Sequence, residues 1–224
     1  MAIVLSPDPR NWQKPDHERI EQTTLLLVEG RDDQALMARI ARQLEAEGHQ
    51  VNIQIRDMGG RDKWTTDLAQ IRKNEFFQQN VTAIGLVQDA DSDASAARQR
   101  CEQIFRQNQL PFPRRPQVID AAGPLKTGIF IIPSLARVGA VEQLCLDSVQ
   151  DTARASRSAD FIDGLPEAGF PPVEDRDKAV VQAYLSAKPK LKKALWMALR
   201  DGCFDMTHDA FNEVRDFLRA LTAP

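Results

Sequence analysis

Acidic side chains at the end of a predicted strand are the residues with the clearest chemistry in this sequence. The stretch "AIGLVQDADSDASAARQR", residues 83–100, runs from an apolar segment into Asp89, Asp91 and Asp93 and then into a helical pattern. Asp89 and Asp91 are two residues apart, so their side chains point to the same side of an extended chain. Carboxylates this close raise one another's pKa and cost stability unless a cation or a helix terminus compensates them. The pattern therefore indicates either a metal site or helix capping.

A second group of carboxylates follows the first predicted strand. "TTLLLVEG" ends next to Glu29, and Asp33 lies one turn into the following predicted helix, with Arg31 between them. If the two strands are neighbours, Glu29 and Asp33 converge with Asp89 and Asp91. Oxygen ligands of this kind suit Mg²⁺ or Mn²⁺, which bind through a few carboxylates and a substrate phosphate. Asp93, directly ahead of a helical pattern, also suits a helix N-cap.

The stretch "DADSDAS" also has the general look of two other aspartate motifs. An EF-hand loop starting at Asp89 needs Gly at its sixth position and Glu at its twelfth, where Ala94 and Arg100 stand, so this motif is excluded. A phosphoaspartate motif of the DxDx(T/V) type needs Thr or Val where Asp93 stands and normally lies on the first strand. Simple capping of a helix by aspartates on a polar rim stays open as the alternative.

Strands and helices alternate along the chain and must position these carboxylates. Apolar runs end near Gly30, Asp57, Asp89 and Pro133, and each is followed by a segment with helical spacing of apolar residues: 32–47, 62–79, 94–108 and "VGAVEQLCLDSV". Without tight hairpins between the strands, this pattern predicts an α/β fold with a Rossmann-like, parallel four-stranded sheet and helices on both faces. Ligands of such sheets bind at the carboxyl ends of the strands.

The domain organisation follows from changes in composition. We predict an N-terminal arm at residues 1–20, an α/β core at 21–150, a connection or lid at 151–177, and a helical C-terminal part packed on the core at 178–224. The first and third of these regions are rich in proline and polar residues, and they lack helical or strand periodicity.

Composition limits the classes of protein. The chain has 224 residues, of which 42% are hydrophobic and 27% charged, as in ordinary globular proteins, and its net charge of -3 restricts any nucleic-acid contact to a local patch. Cys101, Cys145 and Cys203 show no CxxC pairing, which argues against a zinc knuckle or a disulfide framework and fits a reducing cytoplasm. No apolar run is long enough to span a membrane, so we expect a cytoplasmic protein. The oligomeric state is not indicated.

Two further segments offer positive charge or backbone donors to a phosphate. In "GGRDKW", Gly59 and Gly60 could present backbone N–H groups and Lys63 a charge, or the segment could simply form a turn before the next helix. A basic run close to Trp196 could follow a nucleic-acid backbone or could be a solvated helix face. Its lysines are Lys188, Lys190, Lys192 and Lys193. Arg31 could pair with the carboxylates or reach the substrate.

Five motifs in order resemble an uncharacterised family of Toprim-like proteins. They are "VEGRDD", "GGRDK", "QDADSD", "IIPSLARVGAVEQLCL" and "DGCFD", and together they extend over residues 23–220. The Toprim domain is shared by topoisomerases, bacterial primases and overcoming-lysogenization-defect nucleases, and it carries a glutamate after its first strand and a DxD after its third. The resemblance implies a Toprim-like fold.

The resemblance also implies roles for individual residues. Glu29 matches the Toprim glutamate, which acts as general acid or base or as a metal ligand, and Asp89 and Asp91 match the metal-binding pair. Asp33 matches the residue that the nuclease branch uses for a second metal. Glu142, in the "GAVEQ" segment, and Asp93 are further candidate metal ligands.

The function that the resemblance implies is phosphodiester hydrolysis dependent on Mg²⁺ or Mn²⁺, most simply by a nuclease acting on nucleic acid. Two metals about 4 Å apart would activate the attacking water and stabilise the leaving oxygen. A second hypothesis is a non-catalytic or conditionally active subunit that works with an ATPase partner in defence or DNA processing, because the chain has no ATP-binding motif of its own. A third is a small phosphatase or phosphotransferase. Tyr184 lies in a helical run and is predicted to be a packing residue, which disfavours covalent strand passage.

Overall fold

A computed structural model describes residues 3–5, 19–114, 118–190 and 194–223, with only the backbone described for residues 3–5 and Arg61. The strands are β1 (Ile3–Leu5), β2 (Thr24–Val28), β3 (Ile53–Asp57), β4 (Ala83–Asp89) and β5 (Lys126–Ile132). The helices are α1 (Arg31–Ala46), α2 (Trp64–Lys73), α3 (Glu75–Asn80), α4 (Ala94–Gln107), α5 (Val141–Asp147), α6 (Thr152–Asp163), α7 (Arg176–Ser186), α8 (Leu195–Arg200) and α9 (Asn212–Thr222).

The predicted α/β class is confirmed by a parallel sheet with helices on both faces. The four predicted strands are β2 to β5, and the sheet order is β1-β3-β2-β4-β5 with every described pair parallel. The expected contact between the first and third predicted strands is present, because β2 pairs with β4. The short strand β1, within the region predicted as an arm, adds a fifth strand at the edge next to β3.

Two hydrophobic cores cover the two faces of the sheet. Alternate residues of β2 point to opposite faces: Leu26 and Val28 pack with α1 and the C-terminal helices, whereas Leu25 and Leu27 pack with α2, α3 and α4. All residues of β2 are buried, which explains its unbroken apolar sequence. On the first face, Phe217 of α9 packs against Phe130 of β5, with ring centroids 5.2 Å apart.

Local sequence signals set several helix ends. Gly48 follows α1 with φ of +90°, a left-handed conformation that glycine commonly adopts just after a helix, and Asp93 caps α4 by accepting a hydrogen bond from the Ala96 N–H at 2.9 Å. The single helix predicted at 62–79 is divided in the structure. Asn74 ends α2 and caps α3, because its side chain accepts a hydrogen bond from the Phe77 N–H.

The C-terminal half is mostly helical. Within residues 151–177, predicted as a connection or lid, the chain forms the helix α6. Helices α7, α8 and α9 contribute to the same core as α1. No helix within the described ranges combines the length and the apolar character needed to cross a bilayer.

Candidate functional site

The register of the sheet brings carboxylates of three neighbouring strands to one edge. Val28 at the end of β2 is paired with Val87 of β4 and with Asp57 of β3, and Glu29 follows directly. Asp89 ends β4 two residues after Val87. Because adjacent strands are about 4.8 Å apart, Glu29, Asp57 and Asp89 leave the sheet close to one another.

Asp33 is the most deeply buried carboxylate of this edge. Its side chain is 4% exposed, and its Oδ2 accepts a hydrogen bond from the Gly30 N–H at 2.9 Å, while its Oδ1 is buried with no hydrogen-bond partner among the described residues. The pKa of Asp33 is raised to about 8, mainly by burial. The hydrogen bond from Gly30 lowers this pKa, whereas the negative charges of Glu29, Asp32 and Glu142 raise it further. Without a cation nearby, this carboxyl is therefore held protonated near neutral pH.

Asp89 completes the cluster. Its side chain is largely buried, and this burial is the main reason why its pKa lies well above the ordinary value. Nearby negative charges raise the pKa further; they belong to Asp33, Glu142, Glu29 and Asp91. The Oδ1 atom of Asp89 is also buried without a hydrogen-bond partner among the described residues. The structure thus brings together the carboxylates of Glu29, Asp33, Asp89, Asp91 and Glu142.

A backbone bridge positions Asp91 and Glu142. Asp91 is exposed and has φ of +48°, a left-handed conformation that aspartate adopts more readily than most residues. Its N–H donates to the Gly139 carbonyl at 2.9 Å, and the Gly139 N–H donates back to the Asp91 carbonyl at 2.7 Å. This bridge holds the segment before α5 against the end of β4, so that Glu142, 5% exposed in the first turn of α5, reaches the cluster.

Two carboxylates of the site were not predicted from the sequence. Burial raises the pKa of Asp32, while a hydrogen bond from the backbone N–H of Trp196 in α8 lowers it. Burial also raises the pKa of Asp57, opposed by a 2.7 Å hydrogen bond from the Gly59 N–H and by the charge of Arg31. Asp57 ends the second predicted strand, so its position at this edge could have been found from the sequence.

Lys178 is a basic residue that sequence reasoning missed. It lies in the first turn of α7, where its Nζ is 3.2 Å from Asp175 Oδ2, and its charge acts on Glu142, Asp32 and Asp89. Partial burial lowers the pKa of Lys178, but the neighbouring carboxylates, Glu142 first, outweigh it and raise the pKa. The side chain is 63% exposed, so it places a positive charge on the solvent side of the cluster.

The glycine turn after β3 has a different role from the one expected. The Gly59 N–H donates to Asp57 Oδ1, and the Gly60 N–H donates to the Glu29 carbonyl at 3.0 Å. Both N–H groups are therefore used inside the protein, which corrects the expectation that they are available to a phosphate. The turn requires glycine because Gly59 and Gly60 have φ of +66° and +100°. The exposed Lys63 remains a phosphate candidate.

The basic run after α7 is described only in part. Lys188 lies with its Nζ 4.8 Å from the ring centroid of Tyr184, and Lys190 is exposed. Lys192 and Lys193 lie outside the described residues. Tyr184 is 2% exposed and packs near Phe204, as expected for a packing residue. Nucleic-acid binding by the lysines stays a prediction.

The donor set fits a divalent cation by its chemistry. Asp32, Asp33 and Asp89 each have a buried carboxylate oxygen without a hydrogen-bond partner, and excess negative charge surrounds them. As the side chains stand, no three Asp, Glu, His or Cys residues in the described part of the chain are arranged to hold one ion. Ligation by this cluster therefore requires some side chains to rotate.

The fold and the site define an α/β protein with a parallel sheet whose carboxyl edge gathers buried carboxylates. The chain belongs to the family described as "Protein of unknown function (DUF3226)", whose model matches residues 23–223. Among solved structures, it is similar to the C-terminal region of the Burkholderia pseudomallei OLD protein, with 14% identity and a TM-score of 0.48. This alignment covers 91% of the present chain and 100% of the other. No curated protein matches the chain significantly.

Proposed function

We propose that the protein is a divalent-metal-dependent phosphodiesterase of the Toprim type, most simply a nuclease. The observation that carries the proposal is that Asp33 and Asp89 each have a buried carboxylate oxygen with no hydrogen-bond partner among the described residues, and that the charge of Asp33 acts on Asp89. Buried, uncompensated carboxylates are costly for a fold. A bound divalent cation compensates that cost, and the order of Toprim-like motifs in the sequence supports this use of the residues.

The carboxylates of the cluster are the residues that would hold the metal in the proposed site. A bound Mg²⁺ or Mn²⁺ would activate the attacking water and stabilise the leaving oxygen. The proposed ligands are Glu29, Asp33, Asp89 and Asp91, and Glu142 of α5 is a further candidate ligand. Because burial raises the pKa of both Asp33 and Asp89 and so favours their protonated forms, metal binding competes with protons and strengthens as the pH rises.

Basic residues near the cluster are proposed to contact the substrate. The ammonium of Lys178 is exposed and stands close to the carboxylates, where it can neutralise a phosphate that approaches the metal. Lys63 and Arg31 are further candidates for phosphate contacts. The substrate class is nucleic acid.

Cleavage assays test the proposal. Supercoiled plasmid, single-stranded DNA and RNA are incubated with the purified protein in Mg²⁺ or Mn²⁺. Because the metal supplies several kcal/mol of transition-state stabilisation, Glu29→Gln and Asp89→Ala should each lower cleavage at least about 100-fold. Asp151→Asn, at the N-cap of α6, is the matched control and should retain full activity.

Metal binding is measured separately by calorimetry with Mn²⁺. Asp89→Ala should weaken Mn²⁺ binding. Lys178→Gln should leave Mn²⁺ binding unchanged but lower cleavage about tenfold or more, because the charge of Lys178 acts on the substrate phosphate. Wild-type protein that binds no metal at any pH from 6 to 9 would end the proposal. Equal cleavage by the wild type and Asp89→Ala would also end it.

A second candidate is a conditionally active Toprim-like subunit that requires an ATPase partner. The observation in its favour is that the described carboxylates are not yet gathered around one ion. Protein that binds Mn²⁺ through Asp89 but cleaves no substrate alone would support this candidate, particularly if an ATPase encoded beside it restores cleavage. Cleavage by the isolated protein would exclude it.

A further inference from the structure

Trp196 is a large aromatic side chain that neither hydrophobic core uses. The buried residues of α8 are Leu195, Ala198 and Leu199, and all three belong to the core that α8 shares with α1. Trp196 lies on the outer side of α8 and is partly exposed, and within the described residues it belongs to neither core. Because aromatic side chains gain most from burial, this indole is available to a ligand that would cover it.

The position of Trp196 is fixed at the rim of the carboxylate cluster. Its backbone N–H donates a hydrogen bond to the side chain of Asp32, which precedes Asp33 in α1 and on which the charge of Lys178 also acts. The guanidinium of Arg200, one turn further along α8, lies 5.5 Å from the centroid of the indole ring. Trp196 therefore stands beside the place where the proposed function puts the substrate phosphate.

The segment around Trp196 carries positive charge only. Residues 178–200 contain six basic residues and no acidic one, in a chain whose net charge is -3. Helices α7 and α8 pack against each other, and the side chains of Lys178, Lys190 and Arg200 are exposed. Such a row of cations next to an aromatic side chain suits a polyanion that carries aromatic bases. A second copy docked through the same segment would instead bring like charges together about the symmetry axis.

We infer that Trp196 is a stacking platform for an unpaired base of a single-stranded nucleic acid whose phosphate lies at the carboxylate cluster. The inference rests on the proposed function, because the cluster must hold the cation that this phosphate approaches. In a duplex each base is paired and stacked on its neighbours, so the indole can stack only on a base of an open strand. Every base has an aromatic face, so the platform selects single strands and not a particular sequence.

Binding of matched strands tests the inference with the full chain, in the presence of Ca²⁺, which carboxylate oxygens ligate. The labelled probes are strands of about 12 nucleotides: oligothymidylate, oligouridylate, and an abasic strand with the same phosphates and no bases. Fluorescence anisotropy should show that the wild type binds both strands with bases at least about fivefold more tightly than the abasic strand. Trp196→Ala should remove this difference and leave the affinity for the abasic strand unchanged, a result that misfolding cannot produce.

Two more variants complete the experiment. Trp196→Phe keeps an aromatic ring and should retain most of the preference for strands with bases. Phe112→Ala is the matched control, because Phe112 is also partly exposed and has the guanidinium of Arg106 4.7 Å from its ring centroid. Since Phe112 packs on the other face of the sheet, this variant should bind all three strands like the wild type.

The outcomes separate this inference from the proposed function. Strand binding that depends on Trp196, without cleavage in Mg²⁺ or Mn²⁺, would support the inference and count against a nuclease that is active alone. Cleavage by a protein that binds the three strands equally would overturn the inference and leave the proposed function standing. The inference is also overturned if Trp196→Ala weakens the abasic strand as much as the others, if no strand binds, or if a dimer forms that Trp196→Ala dissociates.

Discussion

The pKa of Asp33 predicts how the stability of the metal-free protein depends on pH. In the folded chain burial raises this pKa from 3.8 to about 8. Between these values the native state holds a proton that the unfolded state has lost. The free energy of unfolding should then fall as the pH rises, by about 1.4 kcal/mol per pH unit for one proton. The contribution of Asp33 is complete below pH 4 and is lost by pH 8.

Asp33→Asn isolates this effect. The amide oxygen of asparagine can still accept the hydrogen bond from the Gly30 N–H, so the variant removes the ionisable group and keeps the start of α1. From pH 5 to pH 7, the wild type should lose about 3 kcal/mol more stability than the variant. Asp89 should add to this difference in the same direction, because the charge of Asp33 is one cause of its raised pKa.

Urea unfolding in the presence of EDTA, followed by circular dichroism at several pH values, measures both slopes. Asp151→Asn makes the same substitution at the N-cap of α6 and should behave like the wild type. Adding Mg²⁺ at 100 times its dissociation constant should restore about 2.7 kcal/mol to the wild type at pH 8 and much less to Asp33→Asn. Parallel pH profiles for the wild type and Asp33→Asn would refute the argument that Asp33 is buried as an uncompensated acid.

Two further predictions concern the glycines that shape the sheet and its acidic edge. Gly85→Ala should cost about 1–3 kcal/mol in urea unfolding, because the added Cβ would lie 2.7 Å from Leu26 Cδ1 and 2.8 Å from Leu221 Cδ2. Gly123→Ala, where nothing lies within 4 Å, is its control, and equal stability of the two variants would contradict the packing of α9 on β4. Gly60→Ala should cost about 1–2 kcal/mol because of its φ of +100°, and a neutral result would show that the turn after β3 has another conformation.

The sequence by itself predicted the class of fold and most of the carboxylates of the candidate site. Continuous apolar runs such as "TLLLV" indicate parallel strands covered on both faces, since such strands have no solvent side on which polar residues would alternate. Once β2 and β4 are neighbours, Glu29 and Asp89 must meet, because both stand where their strands end. Asp93 was readable as a helix cap for a similar reason, since capping is a local interaction.

Only the tertiary structure decided the surroundings of these carboxylates. Glu142 joins the cluster because the backbone of Asp91 pairs with Gly139, a contact between distant segments that no periodicity reveals. The charge of Lys178 acts on the cluster because α7 packs against α5, which carries Glu142, and the helix that carries Asp33, α1, packs against α8 and α9 from the last third of the chain. Strand ends are fixed by local sequence, whereas burial and charge proximity are properties of elements packed together.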